Sequence, residues 1–201
     1  KKAKGCYIFD SNGNQYIDTT MGSGAQIIGH NNELIRKTFQ QVKKGTIYTI
    51  PNHHTDKVNK RLKKINPHFH NEYIFCNSGT EANMRAIRLA RAYTKKGIIG
   101  RFHGGWHGGL DGCIEGDGVP SETNSLFKIL PYNDDKCFDM LTEDMAAVII
   151  EPSQGSNPRT DVGEFLHELR KRCDELDIVL IFDEVMSGFR IARGGGQELF
   201  Q

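Results

Sequence analysis

EYIFCNSGTEANMRAIRLARAY, residues 72–93, is the stretch on which the fold turns. Tyr73-Ile74-Phe75-Cys76 is a short apolar run of strand type, and Asn77-Ser78-Gly79-Thr80-Glu81 is a tight polar turn. Ala82, Ala86, Ile87, Ala90 and Tyr93 then recur at helical spacing. A helix starting here directs unpaired backbone N–H groups back toward the strand end. Those donors and the positive end of the helix dipole make an anion site. Gly79 would let the backbone come close to the anion. Ser78 and Glu81 equally fit an S-x-x-E capping box, which needs no ligand. From these residues alone both readings stand.

Outward from this stretch the chain alternates strand and helix signals. Residues 97–102 and 126–130 read as strands. The run Ala146-Ala147-Val148-Ile149-Ile150 is continuously apolar and ends at Glu151-Pro152, which suits a strand buried on both faces. Asp161 and Glu164 are placed to cap a helix bearing Phe165, Leu166, Leu169, Cys173 and Leu176. Ile178-Val179-Leu180-Ile181-Phe182 reads as a second buried strand, ending at Asp183. The alternation predicts an α/β fold with a mostly parallel sheet. Ligands of such sheets sit beyond the carboxyl ends of the strands. The 77–80 turn, the Trp106 loop, Glu151 and Asp183 all fall at such ends, so one site is expected there.

Upstream, short apolar runs flank Asp10-Ser11-Asn12-Gly13-Asn14, and an Asn-Gly pair in that setting predicts a hairpin. A Gly-rich loop covers 21–29. Asn31 or Asn32 could cap a helix with Leu34, Ile35, Phe39 and Val42 on one face. A second amphipathic helix is expected from Thr55, with Val58, Leu62 and Ile65 inward, ending at Asn66-Pro67.

Lys plus Arg number 26 and Asp plus Glu 25, so the balance gives no pull toward nucleic acid or anionic membrane. Neither partner class is expected. The five cysteines are odd in number and scattered, with no C-x-x-C, so a reducing compartment is the default. His103 and His107 have the spacing of a helical zinc pair, but Gly104, Gly105 and Gly108 argue against a helix, and no metal is expected. His53-His54 and the pair His68 and His70 lack acidic or Cys partners at ligand spacing and read as surface loops. The stripe Arg85, Arg88 and Arg91 reads as a solvated helix face.

Asp183 leaves an apolar strand, where a carboxylate needs partners. It is either a turn cap or the counter-charge of a cationic ring nitrogen. Trp106, the only Trp, sits among glycines and either packs its loop or stacks on a planar ring.

Asn77-Ser78-Gly79-Thr80-Glu81-Ala82 with Arg88-Leu89-Ala90-Arg91, and residues 181–190 (IFDEVMSGFR), resemble the class III pyridoxal-phosphate-dependent aminotransferases. Within them the chain resembles most the glutamate-1-semialdehyde aminomutase-like branch. The hairpin, Gly29-His30, His107-Gly108 and Glu151-Pro152 follow in the family's order. The resemblance implies fold type I, pyridoxal 5′-phosphate as cofactor, and amino transfer between a small amino compound and a carbonyl compound. An epimerase or racemase on the same scaffold, or a non-catalytic cofactor-binding pseudoenzyme, are the alternatives.

Carried over residue by residue, the resemblance implies that Ser78, Gly79 and Thr80 cradle the cofactor phosphate. Trp106 would stack on the ring where the family usually has Tyr or Phe. His107 would lie beside the ring, Val185 would pack on its opposite face, and Asp183 would pair with the protonated ring nitrogen. Ser156 stands where many relatives have Asn or Glu, and Gly22-Ser23 where the aminomutases tend to have Ser-Trp. Ser23 and Ser156 are therefore candidate substrate contacts, and the particular substrate stays open. The family's Schiff-base lysine is expected a few tens of residues after Asp183, yet the last lysine is Lys171, on the solvent side of its helix. The 201 residues, which open on Lys1 without Met, are thus expected to be an inactive fragment. Its expected parts are an N-terminal segment, 1–50, and the first part of a large cofactor-binding domain, 51–201. A cytoplasmic homodimer completes the implied picture.

Overall fold

The computed structural model describes residues 2–45, 52–65, 73–114 and 116–200. The expected helix end at Asn66-Pro67 and the histidines His68 and His70 lie outside them. Backbone contacts divide the chain into two units, Lys1–Lys60 and Arg61–Gln201.

The first unit carries a three-stranded antiparallel sheet, β1 (Lys2–Lys4), β2 (Tyr7–Phe9) and β3 (Gln15–Ile17), in that order. The expected hairpin is β2–β3; β1 was not legible in the sequence. Its turn is not a two-residue Asn-Gly turn. Asp10 accepts hydrogen bonds from the N–H groups of Asn12 and Asn14, both at 2.9 Å, and so organises a five-residue loop. Helix α1 (Glu33–Val42) is capped by Asn32, whose side chain accepts from Leu34 and Ile35. Asn31 instead has a left-handed φ of 49°. Leu34, Phe39 and Val42 of the apolar face of α1 are exposed. Helix α2 (His53–Ile65) spans the division between the units and starts two residues before Thr55. Asn52 caps it by accepting from His54 and Thr55.

The second unit is built on α3 (Gly79–Thr94), β4 (Ile98–Phe102), α4 (Ser121–Asn124), β5 (Phe127–Leu130), β6 (Met145–Ile150), α5 (Gly163–Glu175), β7 (Val179–Phe182) and α6 (Gly196–Leu199). The sheet order is β5-β4-β6-β7 and every pairing is parallel, as the alternation predicts. β6 has a neighbour on each side and is buried throughout, which explains its unbroken apolar run. Its side chains alternate between two cores. Val148 and Ile150 join Phe165, Leu166, Leu169 and Cys173 of α5, while Ala147 and Ile149 join Ile87 and Ala90 of α3. The sheet is thus covered on both faces.

Four expectations need correction. β7 is half-buried rather than fully buried, because among the described residues only β6 pairs with it. Residues 73–76 form no strand, and Ile74 and Phe75 are exposed; no ladder partner lies beside them among the described residues. The buried stripe of α3 is Asn83, Ile87 and Ala90, while Tyr93 is 83% exposed. Docking of Ile87 and Ala90 on the sheet turns Asn83 inward, one turn earlier on the same stripe. Asp161 does not cap α5, whose N-cap is Val162 with no side-chain bond; Asp161 is engaged by Arg159.

All five cysteines are free. Burial pushes the thiol of Cys113 up to about 11 and those of Cys137 and Cys173 up to about 12, which makes them core residues rather than nucleophiles. Lys171 is exposed and pairs with Glu168 and Glu175, as its place on the helix predicts.

A candidate active site at the strand ends

Asp183 follows the last residue of β7 and is buried. Burial alone would raise its pKa. Hydrogen bonds from His107, from the Val185 N–H and from Asn83 outweigh that and hold it below the ordinary 3.8. Oδ2 accepts from His107 Nδ1 at 2.8 Å and from Asn83 Nδ2 at 2.7 Å, while Oδ1 accepts from the Val185 N–H at 3.1 Å. The result is a buried carboxylate anion without an Arg or Lys partner among the described residues. It is a turn cap through Val185 and a prepared counter-charge as well.

A depressed folded pKa means that the ionised form stabilises the protein above the unfolded value and that this contribution fades as pH falls through the folded one. The stability deficit of Asp183→Asn, measured by denaturant unfolding of ligand-free protein, should therefore be constant above about pH 5 and shrink below about pH 4. A deficit that does not change with pH would contradict the assignment.

His107 spends its Nδ1 on Asp183, and its buried Nε2 has no hydrogen-bond partner among the described residues. A proton on Nε2 would be a buried orphan donor, so the arrangement selects the Nδ1–H tautomer. Asn83, which the apolar pattern of α3 did not flag, also donates to the His107 carbonyl at 3.2 Å. It locks the carboxylate to the Trp106 loop. The available signal was positional: Asn83 lies four residues before Ile87 and seven before Ala90.

The helix start beside this carboxylate is capped by its own side chains. Ser78 is the N-cap and accepts from the Glu81 N–H at 3.2 Å; Glu81 reaches back to the Asn77 N–H at 2.7 Å, one residue earlier than in a standard capping box. The N–H groups of Gly79 and Thr80 still find no acceptor among the described residues. They are two aligned donors at the positive end of a sixteen-residue helix. Gly79 is needed for a reason beyond ligand approach: a Cβ there would lie 2.7 Å from Cγ2 of Val185. Gly108, at φ +87°, presses on Thr80 in the same way, and Thr80 Oγ1 accepts the Gly109 N–H at 3.1 Å. Bare backbone at 79 and 108 thus brings the helix start, the Trp106 loop and the segment after β7 into contact.

Trp106 is 67% exposed, so loop packing among the described residues does not account for it. Val185 is 57% exposed. Ser156 donates to the Gly104 carbonyl at 3.3 Å and lines a cavity of about 560 Å³ with His103, Tyr132 and Arg159. Ser23 belongs to the other unit, where it is exposed with a left-handed φ of 54°. Ser78, Gly79, Thr80, His107, Asp183 and Val185 are therefore joined by contacts, and Trp106 and Ser156 lie on the adjoining loops. Among the described residues no cluster of three or more His, Cys, Asp or Glu is placed to hold a metal ion. The arrangement offers an anion donor pair and a buried carboxylate able to hold a protonated heteroaromatic nitrogen, beside an exposed Trp and Val.

The class-III aminotransferase family model matches residues 1–197. The glutamate-1-semialdehyde 2,1-aminomutase of Methanothrix thermoacetophila is 36% identical over all of this chain and 51% of its own length. The enzyme of the same name from Saccharolobus islandicus is 38% identical with the same coverage. The chain spans about half the length of the curated relatives it matches. Among solved structures, an omega-transaminase from Sphaerobacter thermophilus superposes with a TM-score of 0.90 at 30% identity, over all of this chain and 51% of that one. A structure described as a transaminase with PLP bound gives 0.89 at 29% identity, with the same coverage.

Proposed function

Because the chain belongs to the class III aminotransferase family, we propose that its second unit binds pyridoxal 5′-phosphate and serves the transfer of an amino group between an amine and a carbonyl compound. The observation that carries this is the buried Asp183 anion, held by three donors and packed through Val185 against a helix start with two N–H groups that meet no acceptor among the described residues. When bound, the cofactor supplies an aldehyde and an electron-withdrawing ring. The N–H groups of Gly79 and Thr80, with the Thr80 hydroxyl, would hold its phosphate. Asp183 would keep a proton on the ring nitrogen, and His107 and Asn83 hold Asp183 in the orientation for that. Trp106 and Val185 would cover the two ring faces and exclude water. Ser156 would meet the substrate.

The residues fit the group: a helix start with two open N–H donors and a carboxylate that stays ionised are what a phosphorylated pyridine needs. Small amino donors and carbonyl acceptors are the proposed substrates. The second unit is proposed to be the first part of a larger domain that a homodimer presents in the cytoplasm. Among the described residues no helix is long and apolar enough to cross a membrane.

The test uses the full-length protein. After incubation with pyridoxal 5′-phosphate and gel filtration it should retain visible cofactor absorbance, and pyridoxal without the phosphate should wash out. With an amine and a 2-oxo acid it should form the new amino acid, and at micromolar concentration it should sediment as a dimer. Equal retention of both vitamers would remove the 78–80 anion site from the proposal. Retention of the phosphate form without any amino transfer would favour a binding protein instead.

A further inference from the structure

We propose that Glu151 and Glu184 are paired positioning residues, each closing by hydrogen bonds to backbone N–H groups the loop that carries one wall of the Asp183 site. The proposal rests on the reading of that site given above. The two carboxylates stand at the carboxyl ends of neighbouring parallel strands, β6 and β7. Among the described residues neither has an ion-pair partner.

Glu151 is 5% exposed. Its Oε2 accepts the Trp106 N–H at 2.9 Å and its Oε1 the Gly155 N–H at 3.2 Å. One side chain thus ties the loop after β4 to the loop after β6. Gln154 repeats the join by donating to the His103 carbonyl at 2.9 Å. Taking a carboxylate out of water is costly unless donors replace the solvent. A brace made only of backbone donors leaves the indole of Trp106 free while fixing the peptide it hangs from.

Glu184 does the same for the other wall. Its Oε2 accepts the Ser187 hydroxyl at 3.0 Å and the Gly196 N–H at 2.5 Å, and its Oε1 accepts the Gln197 N–H at 3.2 Å. These bonds close residues 184–197 into a loop in which Val185 directly follows the bracing Glu184. The Val185 N–H is held by Asp183 as well, so Val185 is pinned at the closed base of the loop. The Gly194-Gly195-Gly196 run finds its reason here. Gly195 has a left-handed φ of 76°, and a Cβ on it would lie 2.1 Å from Oε2 of Glu184. A Cβ on Gly196 would lie 2.6 Å from Cγ of Pro152, the residue after Glu151. The two braces therefore abut, and the rim they form is continuous.

At both positions each carboxylate oxygen faces a donor. Replacing Glu by Gln keeps shape and size but turns one NH₂ group toward an N–H, breaking one arm of the brace. The experiment is local amide hydrogen exchange on the ligand-free, full-length protein, followed by circular dichroism of added pyridoxal 5′-phosphate. Glu151→Gln should speed exchange at Trp106 and Gly155 at least tenfold and leave 196–197 unchanged. Glu184→Gln should do the reverse. Both variants should still take up the cofactor and lose at least half of its induced dichroism, because the ring is no longer held at one angle. Glu168→Gln, on the exposed side of α5, should change neither. Where a glutamate variant does not fold, Gln154→Ala and Gly195→Ala attack the same joins from the other side and should give the same local patterns. Exchange that rises uniformly through β4 and β6, or nowhere, overturns the braces. Local exchange with unchanged dichroism overturns the positioning role. A wild-type protein that takes up no cofactor overturns the underlying reading of the site, and with it the positioning role, while the protection of the four amides would still stand.

Discussion

Asp183→Asn is expected to slow amino transfer by the full-length protein about a hundredfold while leaving the fold intact. The carboxylate has three protein donors around it and, among the described residues, no Arg or Lys ion-pair partner, so its negative charge is available to a protonated ring nitrogen. A hydrogen bond to a charged group contributes about 1.5–3 kcal/mol. Each 1.36 kcal/mol on the barrier is about tenfold in rate, so losing that one bond predicts about a 10- to 100-fold loss. The Asn side chain also presents an NH₂ group toward donors already aimed at position 183, which places the effect at the upper end. The fold should survive, because Asp183 caps its turn through one N–H that the amide oxygen can still receive. The measurement is single-turnover transfer together with thermal unfolding. Unchanged turnover in the Asn variant would remove Asp183 from the chemistry. A collapsed fold would make it a structural cap only.

Gly79→Asp should cost at least a hundredfold in cofactor affinity. Two effects act together. Any Cβ at 79 lies 2.7 Å from Cγ2 and 3.5 Å from Cγ1 of Val185, and a branched side chain on a closed loop cannot step aside cheaply. The added carboxylate then stands where the phosphate would stand, and like charges brought together cost several kcal/mol, with each 1.4 kcal/mol being tenfold in affinity. The two effects separate in a further pair of variants. Gly79→Ala carries the steric part alone, and Val185→Ala in the same molecule should recover part of the loss. Equilibrium titration with pyridoxal 5′-phosphate reads both. Full cofactor retention in Gly79→Asp would contradict the anion site.

How much of this was legible depended on how local each cause is. β6 declared itself through five consecutive apolar residues, because a central parallel strand is buried on both faces. The β2–β3 hairpin and the Asn32 cap were legible for the same reason, since turns and caps use neighbouring residues. The candidate cluster was legible because α/β topology brings strand ends together whatever the loops contain. Causes that act at a distance were not legible. Asn83 reaches Asp183 across 100 positions of sequence, and a lone Asn among helix apolars carries no mark of that. The three donors of Glu184 lie 3, 12 and 13 residues away, so nothing in its neighbourhood in sequence marks it as a brace. Residues 73–76 have strand composition, yet composition cannot supply a ladder partner. Asp161 had the right residue type to cap α5, but Arg159, two residues earlier, competes for its carboxylate and raises no signal in a capping pattern.

The most direct measurement is the nitrogen NMR shift of ¹⁵N-labelled pyridoxal 5′-phosphate bound to the full-length protein. If Asp183 is the counter-charge, the ring nitrogen of the wild-type complex should be protonated at neutral pH, and that of Asp183→Asn should shift toward the unprotonated value. A wild-type ring nitrogen that is unprotonated, or a shift that is the same in both proteins, would contradict the account.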